Sequence, residues 1–215
     1  RCPASLHSHV TLLAAALQPF AVHPAAVGVL AERSAVQVAG MLATWRAGLI
    51  YLPLDPSLPT PRLLWLFDDA VPVGVLASAA AEALVPPGYP TLLLETGALL
   101  RGSAATATTA VDSPVEVPPD GACYLLYSSG STGEPKGVLG SRAGLAARCE
   151  WMWAAYPFGA DEVCVAKTAL TFVDALWETV GPLGHAAGLT CRLTFADRAA
   201  ARLVAPRPLL DTLRV

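Results

Sequence analysis

Short apolar runs alternate with segments of helical periodicity in the first half of the chain. The apolar runs have the length and composition of buried strands and cover residues 27–30, 50–52, 73–76 and 91–94. The segments with helical spacing of apolar residues are predicted as helices over residues 6–18, 35–45 and 61–69, and Ser78 is read as the cap of a short helix to Leu84. Strands that alternate with helices build a parallel sheet covered on both faces, so the pattern predicts an α/β fold with mostly parallel sheets flanked by helices.

A fifth apolar run, residues 123–127, leads into a loop unlike the other connections. The loop and its flanks read Ser128, Ser129, Gly130, Ser131, Thr132, Gly133, Glu134, Pro135, Lys136 and Gly137. Glycines let successive backbone amides converge on one point, the hydroxyls add donors, and Lys136 adds a positive charge. Because these groups together suit a polyanion, we expect the loop to bind a nucleotide triphosphate.

The spacing differs from that of the G-x-x-x-x-G-K-[ST] phosphate loop, in which a helix starts at the lysine. Here Pro135 takes the place of the second glycine, and Gly137 follows the lysine in a predicted strand. The loop therefore joins two strands. An ordinary polar hairpin is the alternative, since Ser, Thr and Gly are common turn residues, but a hairpin does not require Lys136, one of two lysines in the chain.

Helices are also predicted after the loop. Ser141 is a candidate cap for a helix over residues 142–156, as Ser34 is for the helix over residues 35–45. Residues 161–166 and 190–193 are predicted strands.

A linker is predicted before the loop. The segment at residues 102–119 has small, polar and proline-rich composition, which is typical of a surface linker.

Composition excludes several classes of protein. The 215 residues are 54% hydrophobic with a net charge of -3, which leaves no basic face for nucleic acid, and no apolar run is long enough for a membrane span. The chain opens on Arg1 without a secretory leader, so an internal piece or an incomplete chain is expected.

Cysteine usage points to a reducing, cytoplasmic location. The number is odd and no C-x-x-C pair occurs, which argues against a zinc site or a disulfide framework. The five cysteines are Cys2, Cys123, Cys149, Cys164 and Cys191.

The stretch YSSGSTGEPKG resembles the signature loop of the adenylate-forming superfamily, which includes acyl-CoA synthetases, luciferases and peptide-synthetase adenylation domains. The resemblance implies an acyl-CoA-synthetase-like large domain that uses ATP and Mg²⁺ to convert a small carboxylate or amino acid to an acyl-adenylate. A thiol acceptor, CoA or the phosphopantetheine of a carrier protein, is implied as well. Lys136 and Thr132 become the candidate catalytic residues. The residues implied to hold the ATP phosphates are Ser128, Ser129, Gly130, Ser131, Thr132, Gly133, Lys136 and Gly137.

Two further stretches are similar to core motifs of the same superfamily. Residues 45–63 resemble the second motif, in which we expect Tyr51 and Asp55 to shape the fold and its turn. Residues 167–189 resemble the fourth motif, where a helix lines the acyl pocket. This similarity implies that Thr171, Phe172 and Asp174 lie near the substrate, with Glu178 a candidate for a metal or an internal ion pair.

The fourth motif departs from the amino-acid-activating pattern. There Phe-Asp precedes the helix, and the aspartate pairs with the substrate's α-amino group; here Phe172 is followed by Val173, with the acid one place later at Asp174. One residue turns a helical side chain by about 100°, so Asp174 does not simply replace that aspartate. The form is closer to the β-alanine-activating branch. Two interpretations of Asp174 stay open. In the first, it pairs with a substrate amino group that lies further from the substrate carboxylate. In the second, it is a helix-capping or surface acid.

The resemblance covers residues 25–190. The N-x-Y-G-P-T-E stretch that binds adenine is absent, as are the ribose-binding aspartate and the small C-terminal domain with its catalytic lysine. Residues 203–213 would match a later family segment, with about twenty residues missing before it. We therefore expect residues 1–215 to be part of the large AMP-binding domain. The alternatives are a truncated, non-catalytic nucleotide-binding or interaction module, and a gene fragment with no independent fold.

Overall fold

We describe a computed structural model of residues 3–21, 24–94, 115–128, 135–159, 162–184 and 192–195. Predictions made for residues 102–114, 129–134 and 203–213, and for Cys2 and Cys191, lie outside these residues. The five helices of the described ranges are α1 Pro3–Leu17, α2 Ala35–Arg46, α3 Thr60–Ala70, α4 Arg142–Ala155 and α5 Val173–Gly184. None of them is both long and apolar enough to cross a membrane.

Six strands form the main sheet. They are β1 Ala26–Leu30, β2 Ile50–Leu54, β3 Gly74–Ser78, β4 Thr91–Leu94, β5 Ala122–Ser128 and β6 Lys136–Ser141. Their order is β4-β3-β1-β2-β5-β6; the first five are parallel, and β6 runs antiparallel to β5. Two more strands, β7 Val163–Ala166 and β8 Arg192–Phe195, pair in parallel as a second sheet. The predicted α/β class with mostly parallel strands is confirmed.

Both faces of the main sheet are covered at its centre, as strand β1 shows. All five residues of β1 are buried, and the four with side chains divide between two apolar clusters. Val27 and Val29 pack in a cluster with α1, α2, α4 and α5, whereas Ala26 and Leu30 pack in a cluster with α3. Successive side chains of a strand point to opposite faces, so the continuous apolar run of β1 is explained by helices on both sides.

Both serine caps are confirmed. The Ser34 side chain accepts a hydrogen bond from the Gln37 amide at the start of α2, and Ser141 accepts one from the Gly144 amide at the start of α4. Each serine satisfies an amide that would otherwise lack an intrahelical partner.

The prediction of a helix after Ser78 is wrong. Ser78 is instead the last residue of β3, its hydroxyl donates to Glu32 Oε2 at 3.3 Å, and only one 3₁₀ turn, Glu82–Leu84, follows. The alanine-rich segment is too short for a stable α-helix before the turn at Pro86 and Pro87.

The structural interpretation of the second motif is confirmed. Tyr51 is buried and its hydroxyl accepts a hydrogen bond from the Gln37 amide side chain. Asp55 Oδ1 accepts from the Ser57 amide at 2.9 Å and from the Ser57 hydroxyl at 2.6 Å, which closes the turn after β2. Gly48, with φ of +76°, follows the end of α2 and turns the chain into β2.

Candidate functional site

The candidate phosphate loop is carried by the β5–β6 hairpin. Ser128, the last residue of β5, lies opposite Lys136, the first residue of β6, and Tyr127 lies opposite Gly137. The Ser128 hydroxyl donates to the Lys136 carbonyl at 3.5 Å, and both residues are exposed. Ser129, Gly130, Ser131, Thr132 and Gly133 fall outside the described residues, so their predicted roles stay predictions.

The hairpin opens at the carboxyl edge of the sheet. Because β5 runs parallel to β2 and β2 to β1, Ser128 lies at the same edge as Leu54 and Leu30, the last residues of those strands. Ligands of open α/β sheets bind outside the carboxyl ends of the strands. The predicted phosphate-binding residues are therefore attached at the edge where such ligands are found.

Two residues of helix α3 contact Tyr127, the residue before Ser128. The Tyr127 hydroxyl donates to Asp69 Oδ2 at 2.5 Å, and the Trp65 ring meets the Tyr127 ring edge-on at 5.5 Å. The Arg62 guanidinium lies 5.0 Å from the Trp65 ring. Burial, followed by the bond to Asp69, raises the pKa of Tyr127, so the phenol remains a donor at neutral pH. Sequence reasoning missed this contact; Trp65 and Asp69 share one face of α3, but nothing in the sequence connects that face with Tyr127, 58 residues from Asp69.

Gly137 leaves room for its neighbours on β5. A Cβ atom at residue 137 would lie 3.1 Å from Leu125 Cδ1 and 3.3 Å from Tyr127 Cε1. A side chain here would therefore press on the tyrosine that α3 holds. Gly137 thus has a packing role in the hairpin, beside its predicted role in binding phosphate.

The predicted pocket residues lie together at the start of α5. Thr171 is partly buried, Phe172 is 63% exposed, and α5 begins at Val173. The Phe172 amide donates to the Ala169 carbonyl, and the Ala175 amide donates to the Phe172 carbonyl. This hydrogen-bonded turn presents the large ring of Phe172 and the carboxylate of Asp174 to solvent.

Asp174 pairs with an arginine that sequence reasoning did not single out. Arg148 Nη2 donates to Asp174 Oδ1 at 2.6 Å, with side chains 41% and 61% exposed. Arg148 lies on α4, the helix that begins directly after β6. One helix therefore connects the end of the hairpin to the predicted substrate residues. No sequence signal indicated the pair, since its members are on separate elements 26 residues apart.

Glu178 is engaged by the chain before α5. Its Oε2 accepts from the Lys167 and Thr168 amides, both at 2.8 Å, and its Oε1 accepts from the Thr168 hydroxyl at 2.6 Å. These contacts fasten the segment after β7 to the middle of α5. Within the described ranges, no group of three or more His, Cys, Asp or Glu side chains is placed to hold a metal. These contacts favour a structural role for Glu178, and its role as a metal ligand stays an untested prediction.

Comparison with known proteins shows the family to which the chain belongs. Residues 4–211 match the family described as AMP-binding enzyme. The chain belongs to this family, as the loop sequence and the fold indicated.

Two of the similar proteins are synthetases. The beta-alanyl-bioamine nonribosomal peptide synthetase ebony of Drosophila melanogaster is 38% identical over 172 residues, which is 78% of this chain and 19% of that protein. The vanchrobactin synthetase VabF of Vibrio anguillarum is 34% identical over 163 residues, 76% of this chain and 6% of that one. The chain therefore spans a fifth or less of these two proteins.

A solved structure shows the same fold. The AMPPNP-bound form of the nonribosomal peptide synthetase FmoA3 (S1046A) superposes with a TM-score of 0.71 at 25% identity. The match covers 98% of this chain and 21% of that one.

Proposed function

We propose that the protein activates the carboxylate of an amino acid with ATP, as an adenylate-forming ligase, and passes the acyl group to a thiol. The observation that carries the proposal is the Ser128–Lys136 pair at the carboxyl edge of the sheet, within a loop rich in glycine and hydroxyl residues. Membership of the AMP-binding enzyme family supports it. The thiol would belong to CoA or to the phosphopantetheine of a carrier protein, and the reaction would take place in the cytoplasm.

The proposed chemistry has two steps. A carboxylate oxygen of the substrate attacks the α-phosphorus of ATP; the new P–O bond gives the acyl-adenylate, and the bond to the β-phosphate breaks as pyrophosphate leaves with the electron pair. A thiolate then attacks the acyl carbon, a thioester forms, and AMP leaves. Charge accumulates on the phosphate oxygens during the first step, so fixed donors and cations near them lower the barrier.

The residues at the hairpin fit a triphosphate. The Lys136 side chain and the Ser128 hydroxyl are both exposed at the mouth of the loop, so neither charge nor donor is buried away from a ligand. Lys136 would offer an ammonium to the phosphates, Thr132 a hydroxyl, and the backbone beside Gly137 a close approach. Mg²⁺ bound with ATP would neutralise further phosphate charge.

The position of Asp174 supports a β-amino acid as substrate. An acid one residue further along α5 is turned by about 100° from the place of the usual aspartate, which suits an amino group one carbon further from the carboxylate. The relative of 38% identity has beta-alanyl in its name. Asp174 is exposed at the first turn of α5, beside Phe172, where a substrate ammonium can reach it. We therefore propose β-alanine or a similar β-amino acid.

Carboxylate-dependent exchange of pyrophosphate into ATP tests the proposal in the full-length protein. β-Alanine, L-alanine and propionate are matched probes, because they share three carbons and differ in the position or presence of the amine. We expect exchange with β-alanine to exceed that with the other two. Lys136→Ala should lower kcat/KM for ATP by about a hundredfold, the size of effect found on losing one donor to transition-state charge.

Lys167→Ala is the matched control, because Lys167 is the other lysine and is also exposed. Its backbone contact with Glu178 survives the substitution. Equal effects of the two substitutions would contradict a phosphate role for Lys136. ATP binding in calorimetry without exchange on any carboxylate is the outcome expected of a non-catalytic module.

A further inference from the structure

We propose that Arg148 is a positioning residue for substrate selection: it holds Asp174 by one carboxylate oxygen and leaves the other for the substrate ammonium. The inference rests on the proposed function, in which Asp174 receives the amine. It goes further in assigning a role to a residue on a different helix that belongs to none of the sequence motifs.

The geometry of the pair shows that Arg148 contacts only one of the two carboxylate oxygens of Asp174. Arg148 Nη2 contacts Oδ1 of Asp174 at 2.6 Å, a short, charge-assisted hydrogen bond through one oxygen. Among the described residues, this is the only hydrogen bond of the Asp174 side chain. A two-pronged guanidinium contact would occupy both oxygens, whereas this one leaves Oδ2 with acceptor capacity.

The contact is not needed to hold the two helices together. The Trp153 indole on α4 donates to the Gly181 carbonyl on α5 at 2.9 Å, and Leu145 and Cys149 of α4 are buried in the apolar cluster that also contains Leu176 of α5. Exposed ion pairs contribute little to folding, about 0–1 kcal/mol. An exposed pair with little effect on stability, placed at the predicted substrate residues, is better explained by orientation of a side chain.

Orientation matters at Asp174 because its side chain is 61% exposed. An aspartate in solvent samples several rotamers, and a substrate that needs one of them must select it at a cost in affinity. Arg148 limits that choice before the substrate binds. The guanidinium also repels the incoming ammonium, but water and salt screen this term at an exposed site. We therefore expect the net effect of Arg148 to favour binding of the amine.

Steady-state pyrophosphate exchange by the full-length protein with β-alanine and propionate tests the inference. Arg148→Gln should raise the KM for β-alanine about fivefold, the size of one exposed ion-pair contact, with kcat changed less than twofold. The KM for propionate should stay within twofold, because propionate has no ammonium. Arg148→Lys, which keeps the charge and one donor, should restore most of the lost affinity.

A double-substitution cycle separates positioning from a structural role. If Arg148 acts through Asp174, the Arg148→Gln/Asp174→Asn protein has the same KM for β-alanine as Asp174→Asn alone. Additive losses, or an equal loss of propionate exchange, would overturn the inference, because both indicate a general disturbance of α4.

The cycle also distinguishes failure of the inference from failure of the proposed function. If Asp174→Asn raises the KM for β-alanine and Arg148→Gln leaves it unchanged or lowers it, only the role of Arg148 is wrong. If Asp174→Asn leaves that KM unchanged, or β-alanine supports no exchange, the amine is not recognised at Asp174, and the role of Arg148 falls together with the proposal of a β-amino acid as substrate; exchange with another carboxylate would leave the proposed adenylation standing.

Discussion

The ring of Tyr124 on β5 lies directly over the backbone of Gly140 on β6. The two residues are cross-strand partners, and a Cβ atom built at residue 140 would lie 1.8 Å from Tyr124 Cζ and 2.2 Å from its hydroxyl oxygen. A ring that covers a glycine on the neighbouring strand shields hydrogen bonds of the ladder and fills the space of the missing side chain. Residue 140 thus has to be glycine while the ring keeps its place, at the far end of the hairpin from the predicted phosphate loop.

Substitution of Gly140 by alanine should destabilise the hairpin. The new methyl group must displace the Tyr124 ring, and overpacking of this kind costs about 1–3 kcal/mol. We expect faster hydrogen exchange at the amides of β5 and β6. Gly159→Ala is the control, because a Cβ atom there meets only Glu162 Oε2, at an ordinary contact distance of 3.8 Å, and residue 159 lies outside the hairpin. Equal exchange in the two variants would contradict this role of Gly140.

Trp45 should support β5 through a hydrogen bond to its backbone. Its indole donates to the Cys123 carbonyl at 2.6 Å, and both residues are buried. Trp45→Phe leaves that carbonyl without its donor, so we expect a loss of about 1–3 kcal/mol in the free energy of unfolding measured in urea. Trp151→Phe is the matched control, since Trp151 is 59% exposed and should change stability by less than about 0.5 kcal/mol. An effect of Trp45→Phe no larger than that of the control would be inconsistent with the hydrogen bond.

Local signals predicted most of the fold. Ser34 and Ser141 were read as helix caps because capping acts over three residues, and the apolar run of β1 was read as a buried strand because both faces of the sheet are covered. The loop sequence also indicated the family correctly. Ser78 was misread because a strand end and a helix cap use the same residue type.

Contacts between distant residues could not be predicted from the sequence. Tyr127 and Asp69 are 58 residues apart, and Arg148 and Asp174 are 26 apart, so no local pattern connects either pair. Each contact exists only because helices pack beside β5 or beside each other. The predicted pocket residue Asp174 could be found by resemblance, but the arginine that holds it required the structure.

Glu178 should prove to be a structural acceptor whose loss leaves the metal dependence unchanged. Its carboxylate accepts two amides and a hydroxyl from Lys167 and Thr168, so Glu178→Ala should cost about 2 kcal/mol in the free energy of unfolding. Glu178→Gln keeps one acceptor oxygen and should cost about half as much. The Mg²⁺ concentration that gives half-maximal pyrophosphate exchange should be the same in wild type and Glu178→Gln. A large increase in that concentration would instead assign Glu178 to the metal.

Alkaline pH should destabilise the protein through two buried thiols. Burial raises the pKa of Cys149 to about 11 and that of Cys123 to about 12; nearby arginines, Arg148 and Arg142 respectively, oppose the rise. In the unfolded chain a thiol titrates near pH ~8.5. Above that pH the unfolded state loses these protons while the native state keeps them. The stabilising effect is therefore complete below pH ~8.5 and declines as the pH rises toward the native values.

Cys149→Ala isolates one of these thiols. Each retained proton contributes a slope of about 1.4 kcal/mol per pH unit, so the stability of wild type between pH ~9 and ~10.5 should fall more steeply than that of Cys149→Ala by about this amount. Urea unfolding followed by tryptophan fluorescence measures both slopes. The comparison concerns slopes and not absolute stabilities, so the small cavity left by alanine cancels. Parallel pH profiles would mean that Cys149 ionises as readily in the native state as in the unfolded chain, which would contradict its burial between α4 and the sheet.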